Sequence, residues 1–167
     1  MSKLTALATS IAVLGGVWAF LALGPLAGMV LVWAGFIAWG CYFAAGADTA
    51  ALQKTIAGMI YGSVMAGIAL ALVGANPLGL PGAVGPAVYI AVTVFPLIAV
   101  AGCNMLSVVP ANVYGYAATA AYALQTANAG SPTAMDMTNP VLLVALSAVF
   151  GAVFGMISGK VAGMLGK

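Results

Sequence analysis

Three polar side chains share one face of the fifth apolar stretch of this sequence: Asn112, Tyr116 and Thr119, spaced i, i+4 and i+7. An amide and two hydroxyls offer hydrogen-bond donors and acceptors without a net charge. Because an asparagine amide facing lipid would be costly, we expect this polar stripe to face protein or water. The chemistry it suits is the passage of a neutral solute that exchanges its hydrogen bonds to water for hydrogen bonds to protein.

Further neutral side chains lie inside the apolar stretches, and we assign them to the same solute path: the rings of Phe36 and Trp39, and the hydroxyls of Tyr42, Tyr61, Ser63 and Ser147. The rings are expected to lie opposite the polar stripe and to narrow the path, which would exclude hydrated ions. The alternative is that the hydroxyls form interhelical hydrogen bonds, worth about 0.6 kcal/mol each on average, while the rings fill space left by alanine and glycine.

The missing residue types exclude several kinds of chemistry. The chain has no His, four Lys or Arg residues and two Asp or Glu residues. Without imidazole there is no histidine ligand for zinc or haem and no Ser-His or Cys-His pair, so we predict no enzymatic activity, no metal and no cofactor. The net charge of +2 indicates no nucleic-acid partner. Cys41 and Cys103 lack CxxC spacing, and we predict that both are small buried core residues.

The composition requires a membrane to position these residues. Hydrophobic residues form 65% of the chain and charged residues 4%, which is too few charges for the surface of a soluble domain. We predict an all-α, polytopic membrane protein. Its six apolar runs, each near the ~20 residues that cross a bilayer, cover residues 4–23, 26–45, 52–74, 84–100, 103–126 and 141–163.

The first run and the breaks in the fourth and fifth runs are less regular than the rest of the pattern. The first run exceeds the ~7–15 residues of a signal-peptide core, so we interpret it as a retained span. Pro96 is expected to bend the fourth run, and Pro110 falls in the first third of the fifth. At the turn 102–107, the alternative is a single broken element with a re-entrant portion.

The lysines set the expected orientation. With six spans, the four lysines Lys3, Lys54, Lys160 and Lys167 all fall on one side of the membrane, which the positive-inside rule assigns to the cytoplasm. Both termini are then cytoplasmic, while the loop 76–82 and Asp136 are outside. We treat residues 1–167 as a single transmembrane domain.

Glycines recur every fourth residue in two runs: Gly151, Gly155, Gly159 and Gly163 in the sixth, and Gly58 and Gly62 in the third. Small residues let helix backbones approach closely in lipid, so we predict that both glycine faces pack against helices. Two such faces exceed what one internal seam requires, which favours a homo-oligomer.

The sequence also contains a candidate internal repeat of aromatic-glycine pairs. Trp39-Gly40 recurs as Tyr114-Gly115, and Tyr61-Gly62 as Phe150-Gly151. Halves 1–76 and 83–167 would each hold three spans and would therefore be inverted relative to one another, as in many transporters and channels. Chance similarity in a chain rich in Ala, Gly and Val is the alternative.

Two stretches resemble a bacterial inner-membrane family catalogued as domain of unknown function 1097. The first is Trp33-Ala34-Gly35-Phe36 followed by Tyr42-Phe43-Ala44, and the second is Ser107-Val108-Val109-Pro110 followed by Gly115 and the segment to Thr119. The resemblance implies a multi-pass protein of the bacterial inner membrane and assigns no activity.

Two functions of different classes follow. The first is a passive channel or facilitator for a small uncharged solute such as urea, a short amide, ammonia or a dissolved gas. The second is a structural or accessory subunit whose glycine faces dock on a larger membrane complex, with no transport activity of its own. Flux of neutral solutes into proteoliposomes separates the two.

Overall fold

The computed structural model describes residues 1–166 and confirms an all-α fold. Its helices are α1 (Lys3–Leu23), α2 (Val32–Ala44), α3 (Thr49–Ala75), α4 (Val84–Ala99), α5 (Val109–Gln125) and α6 (Pro140–Leu165). Two short 3-10 turns, Val100–Gly102 and Asn104–Leu106, join α4 to α5. Four helices, α1, α3, α4 with its first 3-10 turn, and α6, are long and apolar enough to cross a membrane.

Local capping explains where the long helices begin and end. The Asp48 carboxylate accepts the Ala51 N–H at 2.6 Å, and the Asn139 side chain accepts the Val141 N–H at 2.8 Å. Each caps the first turn of its helix, α3 or α6, where backbone N–H groups lack helical partners. Asn76 ends α3 in the left-handed conformation, with φ of 40°.

The second and fifth helices are shorter than the sequence predicted. α2 begins at Val32 and α5 at Val109, six residues later than their apolar runs. Gly28 has a positive φ of 80°, which a helix does not continue through. Pro110 lies in the first turn of α5, because proline lacks the N–H that later positions need. The prediction of six spans near 20 residues is therefore wrong for α2, which has 13 residues.

The two short helices each pack on a long one. α5 lies along α3 and α2 lies along α6, while α3 and α6 contact each other at the centre. α1 covers α6 and α4 covers α3. A cluster rich in small residues fills the space where α2, α3, α5 and α6 meet: Ala38, Cys41, Met59, Ala111, Ala148 and Ala152. Small side chains there let four backbones approach closely.

Large apolar side chains cover the outside of the bundle. Phe20 on α1 is 72% exposed and Phe95 on α4 is 76% exposed. An apolar outer surface of this kind suits contact with lipid and not with water.

The two cysteines differ in environment. Cys41 is buried in α2, as predicted, and accepts a hydrogen bond from the Thr55 hydroxyl at 3.8 Å. Cys103 is exposed, so the prediction that it is a core residue is wrong. It lies between the two 3-10 turns, where the chain has left α4 and has not yet entered α5.

Candidate functional site

The polar stripe of α5 lies where α5 meets both α3 and α4, because Asn112 contacts Gly58 and Gly62 of α3 while the Asn112 and Tyr116 side chains bond α4. We call the contact between α3 and α5 the α3–α5 seam. Gly62 contacts the α5 backbone so closely that an added Cβ would overlap the carbonyl oxygen of Asn112. Gly115 lies as close to the carbonyl of Met59. Because these contacts are to backbone atoms, no rotamer change can relieve them. Gly62 therefore packs closely against the α5 backbone and fixes the position of α5.

Asn112 is fully buried in this seam. Its Nδ2 donates to the carbonyl of Leu97 at 3.2 Å and to that of Leu106 at 3.1 Å. The first carbonyl belongs to the last turn of α4 and the second to the connection before α5, where helical partners are missing. Asn112 Oδ1 is buried and accepts no hydrogen bond from any described group. Gly58 of α3 lies beside this oxygen, since a Cβ added to Gly58 would be 2.7 Å from Asn112 Oδ1.

The other two members of the stripe differ from each other. The Tyr116 hydroxyl hydrogen-bonds Thr93 Oγ1 of α4 at 3.0 Å. Thr119 is fully buried, and its Oγ1 has no hydrogen-bond partner among residues 1–166. One face of α5 therefore carries two buried oxygens that the protein leaves unsatisfied, Asn112 Oδ1 and Thr119 Oγ1.

The candidates on α3 make ordinary helix contacts. The Tyr61 hydroxyl donates to the carbonyl of Pro96 at 3.2 Å, and so holds the end of α4 together with Asn112. The Ser63 hydroxyl donates to the carbonyl of Met59 in its own helix at 2.8 Å. The Ser63 hydroxyl also lies 3.4 Å from the carbonyl of Gly115 in α5, so both hydroxyls match the stated alternative, in which hydroxyls join helices.

We call the interface between α2 and α6 the α2–α6 seam. It contains the first two of the four evenly spaced glycines of α6, a row that we call the glycine ladder: Gly151, Gly155, Gly159 and Gly163. An added Cβ at Gly151 would overlap the carbonyl oxygen of Gly35, and one at Gly155 would lie 3.1 Å from the Trp39 ring. At the end of the seam nearer the start of α6, the Ser147 hydroxyl accepts the Leu31 N–H at 2.7 Å. The two predicted glycine faces thus pack within one chain, on different helices, so they no longer argue for a homo-oligomer.

The aromatic candidates lie at the α2–α6 seam and not beside the polar stripe. Trp39 Nε1 donates to Ser158 Oγ of α6 at 3.0 Å, and its ring stacks on Phe36 with centroids 5.6 Å apart. Phe36 is 41% exposed and contacts Gly15 of α1. The expectation that these rings face Asn112 is therefore wrong. Close approach of α2 to α6 turns the Trp39 ring toward α6 and away from α5.

The last two glycines of the glycine ladder, Gly159 and Gly163, pack less closely than Gly151 and Gly155. No described atom lies within 4 Å of a Cβ placed on Gly163, and the nearest to one on Gly159 is Phe43 at 3.7 Å. Both glycines line a cavity of about 500 Å³ at one end of the bundle. Tyr42 also lines it and donates its hydroxyl to the carbonyl of Ala47 at 2.6 Å. The prediction of helix packing is wrong for Gly163, since α2 ends at Ala44, whereas Gly159 keeps an ordinary contact with Phe43 of α2.

Three residues that sequence reasoning did not single out are central to packing. Trp18 is fully buried, lies against Gly35 and donates to the carbonyl of Val32 at 3.0 Å. Ser158 accepts the Trp39 N–H, and Ser10 donates to the Ser158 carbonyl at 2.8 Å. Two serines inside apolar runs were the available signal, because such serines need a partner helix.

Within residues 1–166, the structure brings no three Cys or Asp side chains together as metal ligands. A family model described as "Protein of unknown function (DUF1097)" matches residues 8–163. No curated protein and no solved structure matches the chain.

Proposed function

We propose that this chain, which belongs to the DUF1097 family of proteins of unknown function, is a passive channel or facilitator for a small uncharged solute. The observation that supports this most is the pair of unsatisfied oxygens, Asn112 Oδ1 and Thr119 Oγ1, on one face of α5. A buried polar atom without a partner typically costs about 1–3 kcal/mol. A bound solute or water that donates a hydrogen would recover that energy.

The identity of the unsatisfied atoms narrows the solute class. Both Nδ2 contacts of Asn112 are to carbonyl oxygens, so a flipped amide would place oxygen against oxygen. The acceptor atom is therefore the one that remains for a solute. A solute with N–H or O–H donors fits this site, which favours urea, short amides and ammonia over a dissolved gas.

We interpret the arrangement of the stripe as a closed state of the proposed path. Asn112 and Thr119 are fully buried, and Gly58 lies directly against the amide oxygen. We propose that the path opens when the end of α4 moves away from α5. Tyr61 and Asn112 hold the last carbonyls of α4, and Tyr116 holds Thr93, so α4 moves when these hydrogen bonds break. A movement of α4 would expose the polar face of α5 without separating it from α3.

We also propose an inverted repeat, an arrangement found in many transporters and channels. In each half an irregular segment precedes a short helix, and that short helix packs on the long helix of the other half. A Cβ on Gly151 would meet Gly35, as one on Gly62 would meet Asn112. The short helices start at Val32 and Val109, which are 77 residues apart. Gly35 and Asn112, the residues that these two added Cβ atoms would meet, are also 77 residues apart.

This register differs from the one expected from sequence. An offset of 77 pairs Trp39 with Tyr116, whereas the sequence pairing matched it with Tyr114. Gly40 also lacks the role of Gly115, since no described atom lies within 4 Å of its added Cβ. We therefore propose halves 1–76 and 83–167 related by a pseudo-two-fold axis, with the α3–α5 and α2–α6 seams as equivalents.

Topology, location and assembly complete the proposal. Lys3 and Lys160 line the same cavity at one end of the bundle, which we place at the cytoplasmic face of a bacterial inner membrane. Both termini then lie in the cytoplasm and Asp136 lies outside. We keep a homo-oligomer as a proposal, with chemical cross-linking in membranes as its measurement.

Flux into proteoliposomes tests the function. Urea and formamide should enter vesicles that contain the protein faster than empty vesicles, whereas a dissolved gas such as oxygen should show no gain. Vesicles that contain protein unfolded before reconstitution control for leaks. If neither urea nor formamide exceeds the leak, the channel proposal fails and the accessory-subunit function replaces it.

A further inference from the structure

The cavity of about 500 Å³ at the end of the bundle is a feature that the channel proposal does not use. The start of α1, the end of α2, the α2–α3 turn and the end of α6 form its walls. Its volume lies within the ~300–1,000 Å³ typical of small-molecule sites. Gly159 and Gly163 make room for it, because neither adds a side chain to the α6 wall.

Charge is concentrated in this cavity. Three of the six charged residues in the whole chain line it: Lys3, Asp48 and Lys160. The Asp48 carboxylate already accepts the Ala51 N–H as the cap of α3. The two lysine side chains are exposed and come from different helices, at the entrance of one concave surface. The cavity therefore suits a ligand with negative charge.

Apart from Tyr42 and Thr49, the remaining side chains of the lining are apolar. Leu7, Phe43 and Met156 line the cavity and are half-buried. Leu7 and Met156 each lie about one helical turn inward from the lysine on their own helix, and Phe43 lies in the last turn of α2. A ligand that fits the whole cavity has a charged end near the lysines and an apolar end along these side chains.

We propose that this cavity binds the headgroup of an anionic phospholipid, with the phosphate between Lys3 and Lys160 and the upper acyl chains against Leu7 and Met156. Basic pockets between membrane helices on the cytoplasmic side suit anionic lipid headgroups. Long lysine side chains can lie along apolar surface and place their ammonium groups at the headgroup level. A free anion would use the lysines and leave the apolar wall without a partner. This site is independent of the proposed solute path.

The test measures binding of phosphatidylglycerol to the full-length chain in detergent by native mass spectrometry, with phosphatidylcholine for comparison. Phosphatidylglycerol should bind more tightly. Lys3→Gln and Lys160→Gln should each weaken its binding about fivefold, the effect of one lysine near an anionic headgroup. Lys54→Gln removes the same charge from α3, outside the cavity, and should leave binding unchanged. Equal effects of Lys54→Gln and Lys160→Gln would overturn the proposal.

A steric variant tests the cavity without a change of charge. Gly163→Leu fills the cavity and should weaken phosphatidylglycerol binding, whereas Gly16→Leu on α1, another glycine with no described neighbour within 4 Å of its Cβ, should not. Both chains should fold, because each leucine enters open space. Glycerol phosphate supplies the headgroup chemistry alone. If it competes as well as the intact lipid, the site binds a free anion and the lipid proposal is wrong.

Discussion

Gly62→Ala should destabilise the protein strongly, although it adds only one methyl group. The new Cβ would overlap the Asn112 carbonyl oxygen and lie 2.8 Å from the Tyr116 nitrogen, so α3 and α5 must separate. Overpacking of a tight interior usually costs 1–3 kcal/mol, and contacts to backbone place this site at the upper end, about 3 kcal/mol. Alanine recovers about 1 kcal/mol of helix propensity. The expected net loss is about 2 kcal/mol in the free energy of unfolding.

Gly74→Ala is the matched control. It lies on the same helix, and no described atom is within 4 Å of its added Cβ. Only the propensity gain remains, so the variant should be more stable than the parent by up to about 1 kcal/mol. Equilibrium unfolding in mixed micelles, followed by circular dichroism, measures both. If the two variants unfold within about 0.5 kcal/mol of each other, the α3–α5 seam is not as close as described.

Two predictions concern residues outside the seams. Cys103 should react quickly with a maleimide added from the cytoplasmic side, because its thiol is exposed, whereas the buried Cys41 should not react in the folded protein. Labelling of Cys103 only from outside would contradict the proposed orientation. The pKa of Asp136 should lie below its usual value, because the Thr138 hydroxyl and N–H both donate to its carboxylate, and Thr138→Val should raise it in an NMR titration. A lowered folded pKa means that this contribution to stability is present above the ordinary Asp pKa of about 3.9 and is lost as the pH falls through the folded value.

The sequence predicted the features that depend on local pattern. Long apolar runs marked α1, α3, α4 and α6, and the four-residue glycine spacing marked the close contacts at Gly62 and Gly151. The stripe of α5 is on one face, because its spacing alone determines that.

What the sequence could not provide is which face meets which helix. Trp39 faces Ser158 because Gly151 brings α2 onto α6, and that pairing joins residues more than 100 positions apart. The late starts of α2 and α5 depend on Gly28 and on Pro110, residues that an apolar run conceals. The glycine spacing is uniform along α6, yet Gly159 and Gly163 line a cavity, because α2 ends at Ala44 and leaves Gly163 without a neighbour.

The proposal that the α5 stripe lines a solute path is tested most directly by Thr119→Val. Asn112 is a poorer choice, since its Nδ2 also holds two carbonyls. The Thr119 hydroxyl has no partner among the described residues, so its loss should leave stability unchanged or slightly raised. The measurement is urea flux per folded protomer in proteoliposomes.

Thr55→Val is the matched control for that measurement, because Thr55 is also fully buried and its hydroxyl donates to Cys41 of α2 and not to a residue of the stripe. We predict that Thr119→Val lowers urea flux about fivefold, the effect of one lost hydrogen bond of about 1 kcal/mol, while Thr55→Val keeps the parent flux. If Thr119→Val carries urea at the parent rate per folded protomer, the stripe does not line the path.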